Sequence, residues 1–153
     1  MASLLTTKLT SERSRKDLVL DHCRLLSAGD VEGVMALYAG DVAFEDPVGS
    51  GRRTGRDALR AHVEEAVAAH AREVPGAPVA GQDGVHVLTS VTSVMDYLPR
   101  GPVYAGRGWL EPPADPEGTR LERYYVLMLR VGPDGLVQEL KAFWGRSDLK
   151  VVG

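Results

Sequence analysis

Residues 17–50 read DLVLDHCRLLSAGDVEGVMALYAGDVAFEDPVGS, and the point at which their apolar period changes decides the fold. Leu18, Val19, Leu25 and Leu26 give one broad apolar face at helical spacing. Gly29 stands where a helix commonly ends on glycine. Asp30 can then cap a second, short helix over VEGVMALY, where Val31, Val34, Met35 and Tyr38 keep helical spacing. After Tyr38 the period falls to two, and Val42 to Asp46 reads as a strand stopped by Pro47. Side chains alternate faces along a strand, so Val42, Phe44 and Asp46 share one face while Ala43 and Glu45 share the other. The face that carries Val42 and Phe44 is the one that gains by burial, which sends Asp46 inward and Glu45 outward. An inward carboxylate is costly unless it is paired, hydrogen-bonded or protonated. The competing local reading has Asp46 capping a turn through the amides of VGSG, since Asp before Pro is common in turns.

Working outward, VGSGRRTG is a glycine-rich, positively charged loop. It leads into RDALRAHVEEAVAAH, a third helix with Leu59, Val63 and Val67 on one stripe and Thr54 as a candidate cap. Glu64 and Glu65 lie inside that helix and read as a solvated face. Pro75, Gly76, Pro78, Gly81 and Gly84 then make a winding connection. VHVLTSVTSVMDY alternates and is rich in β-branched residues, which suits a long strand. A further strand is expected near Val103 to Leu110. LERYYVLMLRV and LVQELKAFW are two strands joined by the turn Gly132-Pro133-Asp134-Gly135. Helices followed by strands is an α+β order. The expected architecture is a cone-shaped α+β barrel: three N-terminal helices packed on a strongly curved, mostly antiparallel sheet, with a pocket for a small molecule between the layers.

Composition narrows the function classes. With 153 residues, 44% of them hydrophobic, the chain can bury one sizeable core. A net charge of −3 without a basic stripe argues against nucleic acid as a partner. One cysteine, Cys23, excludes an intrachain disulfide and points to a reducing compartment, the cytoplasm. Residues 1–16 read as a flexible or helical arm and not a signal peptide, leaving 17–153 as a single domain. No stretch has the ~20 apolar residues of a membrane span. Four histidines without close pairing give no metal constellation, and GSGRRTG lacks the lysine and spacing of a phosphate-binding loop. No metal and no cofactor are expected.

SAGDVEGVMALYAGDVAFEDPVGSGRRTGRDALRAH resembles the N-terminal half of ketosteroid isomerases, and GPDGLVQELKAFWG resembles their last hairpin. The resemblance places the chain in the nuclear transport factor 2-like superfamily, which also holds the SnoaL-like proteins. PVAGQDGVHVLTSVTSVMDYLPRGPVYAGRGWL and the tail LKAFWGRSDLKVVG are similar to the epoxide hydrolase/cyclases of polyether ionophore biosynthesis, the monensin and lasalocid type. These resemblances imply roles for particular residues. The isomerase base falls on Asp46, but the isomerase's two oxyanion donors fall on His22 and Leu127, which disfavours steroid isomerisation. The polyether cyclases pair the same aspartate with a glutamate just past the third helix, here Glu73. Read without the resemblance, Glu73 is a solvated loop charge.

The activity implied by the resemblance is regioselective epoxide opening and cyclic ether formation on a polyketide polyether precursor. Asp46 and Glu73 would be the general acid–base pair, their individual roles left open apart from a lean, by analogy, to Asp46 as base. Candidate substrate-binding residues are His22, Phe44, Tyr97, Tyr104, Trp109, Tyr125 and Trp144, each also readable as plain core. Asp96 and Tyr97 alternate, so one of the two should point inward. Other readings are a different polyketide cyclase or isomerase, for example one forming a pyran, and a non-catalytic partner that regulates a homologous cyclase. A homodimer, or a heterodimer with a homologous cyclase, is the expected assembly.

Overall fold

The computed structural model of the protein describes residues 11–153; of the arm expected over 1–16, residues 1–10 lie outside the described part. Helix α1, Glu12–Ser27, starts at Ser11, whose hydroxyl accepts the Ser14 amide. It ends as the sequence suggests, with Gly29 at φ 74° immediately beyond. Asp30 caps α2 by accepting the Gly33 amide at 2.9 Å. That helix, Val31–Met35, is shorter than the apolar spacing implies. Tyr38 instead opens strand β1, Tyr38–Glu45, because its backbone pairs with Val137: tertiary pairing overrides a spacing that suits either structure.

After the two-residue strand β2, Arg53–Thr54, helix α3 runs Arg56–Ala68 and buries Leu59, Val63 and Ala66. Thr54 does not cap it: Gly55 occupies the cap position, and no side chain bonds there. Next come β3, Arg72–Pro75, β4, Val79–Ala80, and the long β5, His86–Asp96. The strand expected near Val103 to Leu110 is instead helix α4, Gly101–Gly106. With Pro102 in its first turn, α4 starts where proline is compatible with a helix. Gly101 also packs so closely against the Tyr97 ring that a Cβ there would overlap it. Strands β6, Arg120–Val131, β7, Val137–Phe143, and β8, Leu149–Val152, complete the chain. The Gly132–Gly135 turn closes by a 2.9 Å backbone bond, with Gly135 at φ 81°.

Among the described residues, four helices pack on an eight-stranded sheet in which six strands run in the order β2-β1-β7-β6-β5-β3, with β4 paired to β5 and β8 to β6. The sheet is mixed and open: its long pairings are antiparallel, but β1 runs parallel to β7. Strand β6 is flanked by β8 at Arg120–Arg123 and by β7 from Val126 onward. The two halves of β6 therefore have different neighbours, which lets the sheet bend around the helices. Helices α1 and α3 cover its concave face, and Val19, Cys23, Leu59, Val63, Val87, Val91, Leu121, Leu127 and Leu129 form the core between them. At the wide end of that core, apolar packing gives way to charge.

Candidate active site

Asp46 stands one residue past the end of β1, with its side chain 9% exposed. The two readings of FEDPVG are divided between its two acids. Glu45 performs the turn role, its Oε2 accepting the Gly49 and Gly51 amides at 2.8 and 3.2 Å. Those amides hold its carboxyl below the usual range. Asp46 faces inward, where three donors converge on it. Trp144 Nε1 donates to Oδ1 at 2.7 Å, Arg123 Nη1 to the same oxygen at 3.4 Å, and His62 Nε2 lies 2.9 Å from Oδ2. Burial alone would raise the Asp46 pKa. Arg123, His62 and Arg100 outweigh burial and hold the carboxyl far below its ordinary range, so it is ionised.

Glu73 is a residue of β3 and 6% exposed, not a solvated loop charge. Antiparallel pairing with Ser93 turns its side chain to the concave face. Ser27, at the end of α1, receives its amide at 2.8 Å. Tyr125 donates its phenol to Glu73 Oε1 at 3.1 Å, and Arg123 Nη2 lies 3.6 Å from the same oxygen. One buried guanidinium thus reaches both acids. The Arg123 guanidinium lies over the rings of Tyr125 and Trp144, 4.4 and 5.2 Å from their centroids.

His62, on α3, completes the Asp46 side. Its Nδ1 lies 3.1 Å from Arg100 Nη2, which also donates to the His62 carbonyl at 2.6 Å. Because a guanidinium only donates, Nδ1 accepts, and the imidazole proton sits on Nε2, directed at Asp46. Burial and the Arg100 charge lower the His62 pKa against the pull of Asp46. This imidazole is therefore a neutral donor. On α1, His22 Nδ1 shares a 2.7 Å hydrogen bond with the hydroxyl of Tyr38, itself 2% exposed.

Burial lowers the His22 pKa from 6.5 to about 4. A histidine kept neutral in the native state weakens the fold wherever the unfolded chain binds the proton that the native chain refuses. The effect is absent above the unfolded value of 6.5, grows as pH falls, and levels off near 4 at about 3 kcal/mol. In His22→Gln the fall in urea-unfolding stability between pH 6.5 and 4 is expected to shrink by about that amount. Parallel losses in the two proteins would show that His22 is not buried neutral.

A narrow cavity lies among these groups, lined by Asp46, Glu73, Arg123, His62, His22 and Tyr125, with Leu59, Val63, Leu127 and Leu140 among its apolar walls. Its free space of about 30 Å³ admits a water molecule and little more. Of the candidates read from sequence, the structure brings Asp46, Glu73, His22 and Tyr125 into this lining. Trp144 touches Asp46 directly and packs edge-on against Tyr104 and Trp109, which stack on each other at 5.7 Å. Those three rings form an aromatic cluster beside Asp46. Phe44 and Tyr97 are not lining residues. Phe44 packs against His62 beneath Arg53, and Tyr97 is 3% exposed in the core, while Asp96 turns outward to His70 at 2.7 Å.

Three site residues escaped the sequence reading: His62, Arg100 and Arg123. Two had a visible signal. Arg123 shares its strand face with Leu121, Tyr125 and Leu127, the same alternation that singled out Asp46. His62 lies beside the Leu59–Val63 stripe of α3. Arg100, in the loop before α4, carried none. Among the described residues, no three His, Cys, Asp or Glu side chains converge to hold a metal ion, and no helix is long and apolar enough to cross a membrane.

The SnoaL-like domain model matches residues 19–140. The chain belongs to the SnoaL-like family. This SnoaL-like chain is 45% identical over 143 residues to epoxide hydrolase LasB of Streptomyces lasalocidi, covering 92% of the chain and 51% of LasB. It thus spans about half the length of that curated relative. Among solved structures, SalBIII is described as an epoxide hydrolase/cyclase-like enzyme with a role in pyran ring formation in the polyether salinomycin. It superposes with a TM-score of 0.78 at 29% identity, covering 94% of this chain and 99% of SalBIII. The Δ5-3-ketosteroid isomerase of Mycobacterium sp. superposes with a TM-score of 0.71 at 19% identity, covering 91% and 98%, and shares the fold. The α+β architecture expected from sequence is the one found. A fourth helix and a mixed, open sheet are the additions.

Proposed function

We propose that this SnoaL-like domain is an epoxide hydrolase/cyclase that opens an epoxide of a polyketide polyether precursor with a hydroxyl of the same molecule. The observation that carries the reading is the Asp46–Arg123–Glu73 arrangement, two buried carboxylates joined by one guanidinium. Identity to LasB supports the reaction class.

The chemistry needs two proton transfers. The attacking hydroxyl loses its proton as its oxygen bonds to the epoxide carbon, and the epoxide oxygen gains one as its C–O bond breaks. Asp46, ionised and surrounded by donors, takes the first proton. Glu73, on the other side of Arg123, supplies the second. So firmly held a carboxylate is a weak base, because general bases work best with a pKa near the working pH. Asp46 therefore accepts the proton only as the epoxide bond is already yielding to Glu73, and the two transfers belong to one step. His62, fixed by Arg100, and Trp144 keep Asp46 aimed; Tyr125 aims Glu73. The apolar walls fold the substrate so that one ring closes in preference to another.

Likeness to SalBIII favours pyran formation as the second reading. The domain works in the cytoplasm, paired with a second copy or a homologous cyclase. The convex sheet face, where Tyr124 and Phe143 are 52% and 44% exposed, suits that contact. Incubation with a bis-epoxide precursor tests the proposal. Cyclic ether product with all substrate oxygens retained supports it. Binding without turnover, with stimulation of an added homologous cyclase, would assign a regulatory role in its place.

A further inference from the structure

Glu73, Ser93 and Arg123 stand side by side on three adjacent strands, Ser93 of β5 opposing Glu73 of β3 on one side and Arg123 of β6 on the other. All three turn to the concave face and are buried, at 6%, 0% and 2% exposure. Among the described residues, the buried side-chain polar atoms without a hydrogen-bond partner are Glu73 Oε2, Ser93 Oγ and Arg123 Nε. These are one acceptor, one donor of fixed direction and, between them, one hydroxyl that can serve as either. Buried polar groups left unpaired are costly, and three in one cross-strand row have a shared remedy. Directly opposed residues in an antiparallel pair have Cβ atoms about 4.5–5.5 Å apart, so rotation of the Ser93 hydroxymethyl can bring its oxygen to either neighbour.

We propose that Ser93 is a positioning residue for the acid of the dyad, its hydroxyl linking Arg123 Nε to Glu73 Oε2. The inference rests on the reading of Glu73 as the proton carrier. When Glu73 is protonated, its Oε2–H donates to Ser93 Oγ. When the proton has gone to the substrate, the hydroxyl reverses and donates to the carboxylate while Oγ accepts from Arg123 Nε–H. A group that reverses direction suits an acid that must be stable in both protonation states within one turnover. Alanine at this position could do neither.

Infrared difference spectra of the full chain test this. A carboxylic acid carbonyl band that disappears in Glu73→Gln identifies the protonated Glu73. In Ser93→Ala that band is expected to move to higher frequency, as a carbonyl does when its acid loses a hydrogen bond, and turnover is expected to fall about tenfold. Ser93→Thr, which keeps the hydroxyl and suits a strand, should restore both. A Glu73 band unmoved by Ser93→Ala overturns the role of Ser93. If no acid band is lost in Glu73→Gln, the assignment of the proton to Glu73 fails, and the inference with it. A folding defect in Ser93→Ala would lower turnover without shifting the band, so the spectrum separates the two.

Discussion

Asp46→Asn and Glu73→Gln are each expected to slow ring formation at least about a hundredfold, the lower end of what a positioned proton-transfer group contributes. Both substitutions keep size and shape, so the loss should fall on kcat more than on KM. The two variants differ in a checkable way. Asparagine at 46 must face Trp144 and Arg123 at one position and the His62 Nε2–H at the other, and all of these are donors. Its NH2 group meets a donor whichever way the amide turns. Asp46→Asn therefore loses some folding stability as well as activity, and its thermal midpoint has to be measured beside its rate. Glutamine at 73 keeps an acceptor for Tyr125 and places its NH2 toward Ser93, so it should fold as the parent does. Turnover within a fewfold of the parent in both variants would remove these acids from the chemistry.

Arg123→Met carries the largest expected effect on stability. Removing one member of a buried ion pair leaves the other charge uncompensated, at a cost of about 3–5 kcal/mol. Here the guanidinium, 2% exposed, compensates Asp46 and contacts Glu73. The pH dependence has a definite sign. Asp46 in the parent is held well below its unfolded value of 3.8, so the stability it contributes is present above that value and is lost as pH falls through the folded one. In the variant the Asp46 value rises, and the protonated acid no longer needs the cation. The deficit of Arg123→Met, read from urea unfolding, should therefore be greatest at neutral pH and narrow as the solution becomes acidic. An equal deficit at both ends would mean that the side chain contributes packing between Tyr125 and Trp144 and not charge compensation.

The sequence was most legible where one rule of local geometry sufficed. Alternation along β1 separated Asp46 from Glu45, and Gly29 and Asp30 marked the break between α1 and α2. It was least legible where the outcome depended on a distant strand. Tyr38 has a spacing that suits a helix, and only its pairing with β7 makes it the start of β1. Val103 to Leu110 holds apolar and aromatic residues that suit a strand, yet its first residues coil into α4, Gly101–Gly106, and the rest pairs with no strand. Glu73 came from resemblance, because four residues of β3 are too few to show a period and only the pairing with Ser93 turns the side chain inward. Arg123 was missed, although alternation along β6 marks it as alternation along β1 marked Asp46. An arginine on an apolar strand face is as informative as an aspartate there. The aromatic candidates divide for a similar reason: Tyr125 and Phe44 both face inward, but only contacts from other elements decide which of them borders open space.

In the proposed mechanism Asp46 and Glu73 act together, in one step, on opposite ends of the bond change. Ring-closure rates of the parent, Asp46→Asn, Glu73→Gln and the double variant on one bis-epoxide substrate test it most directly. Groups that work as a unit are not additive, so the double variant should be about as slow as the slower single one. Losses that multiply, the double variant slower by the product of the two single factors, would contradict a paired mechanism and assign the two acids to independent steps.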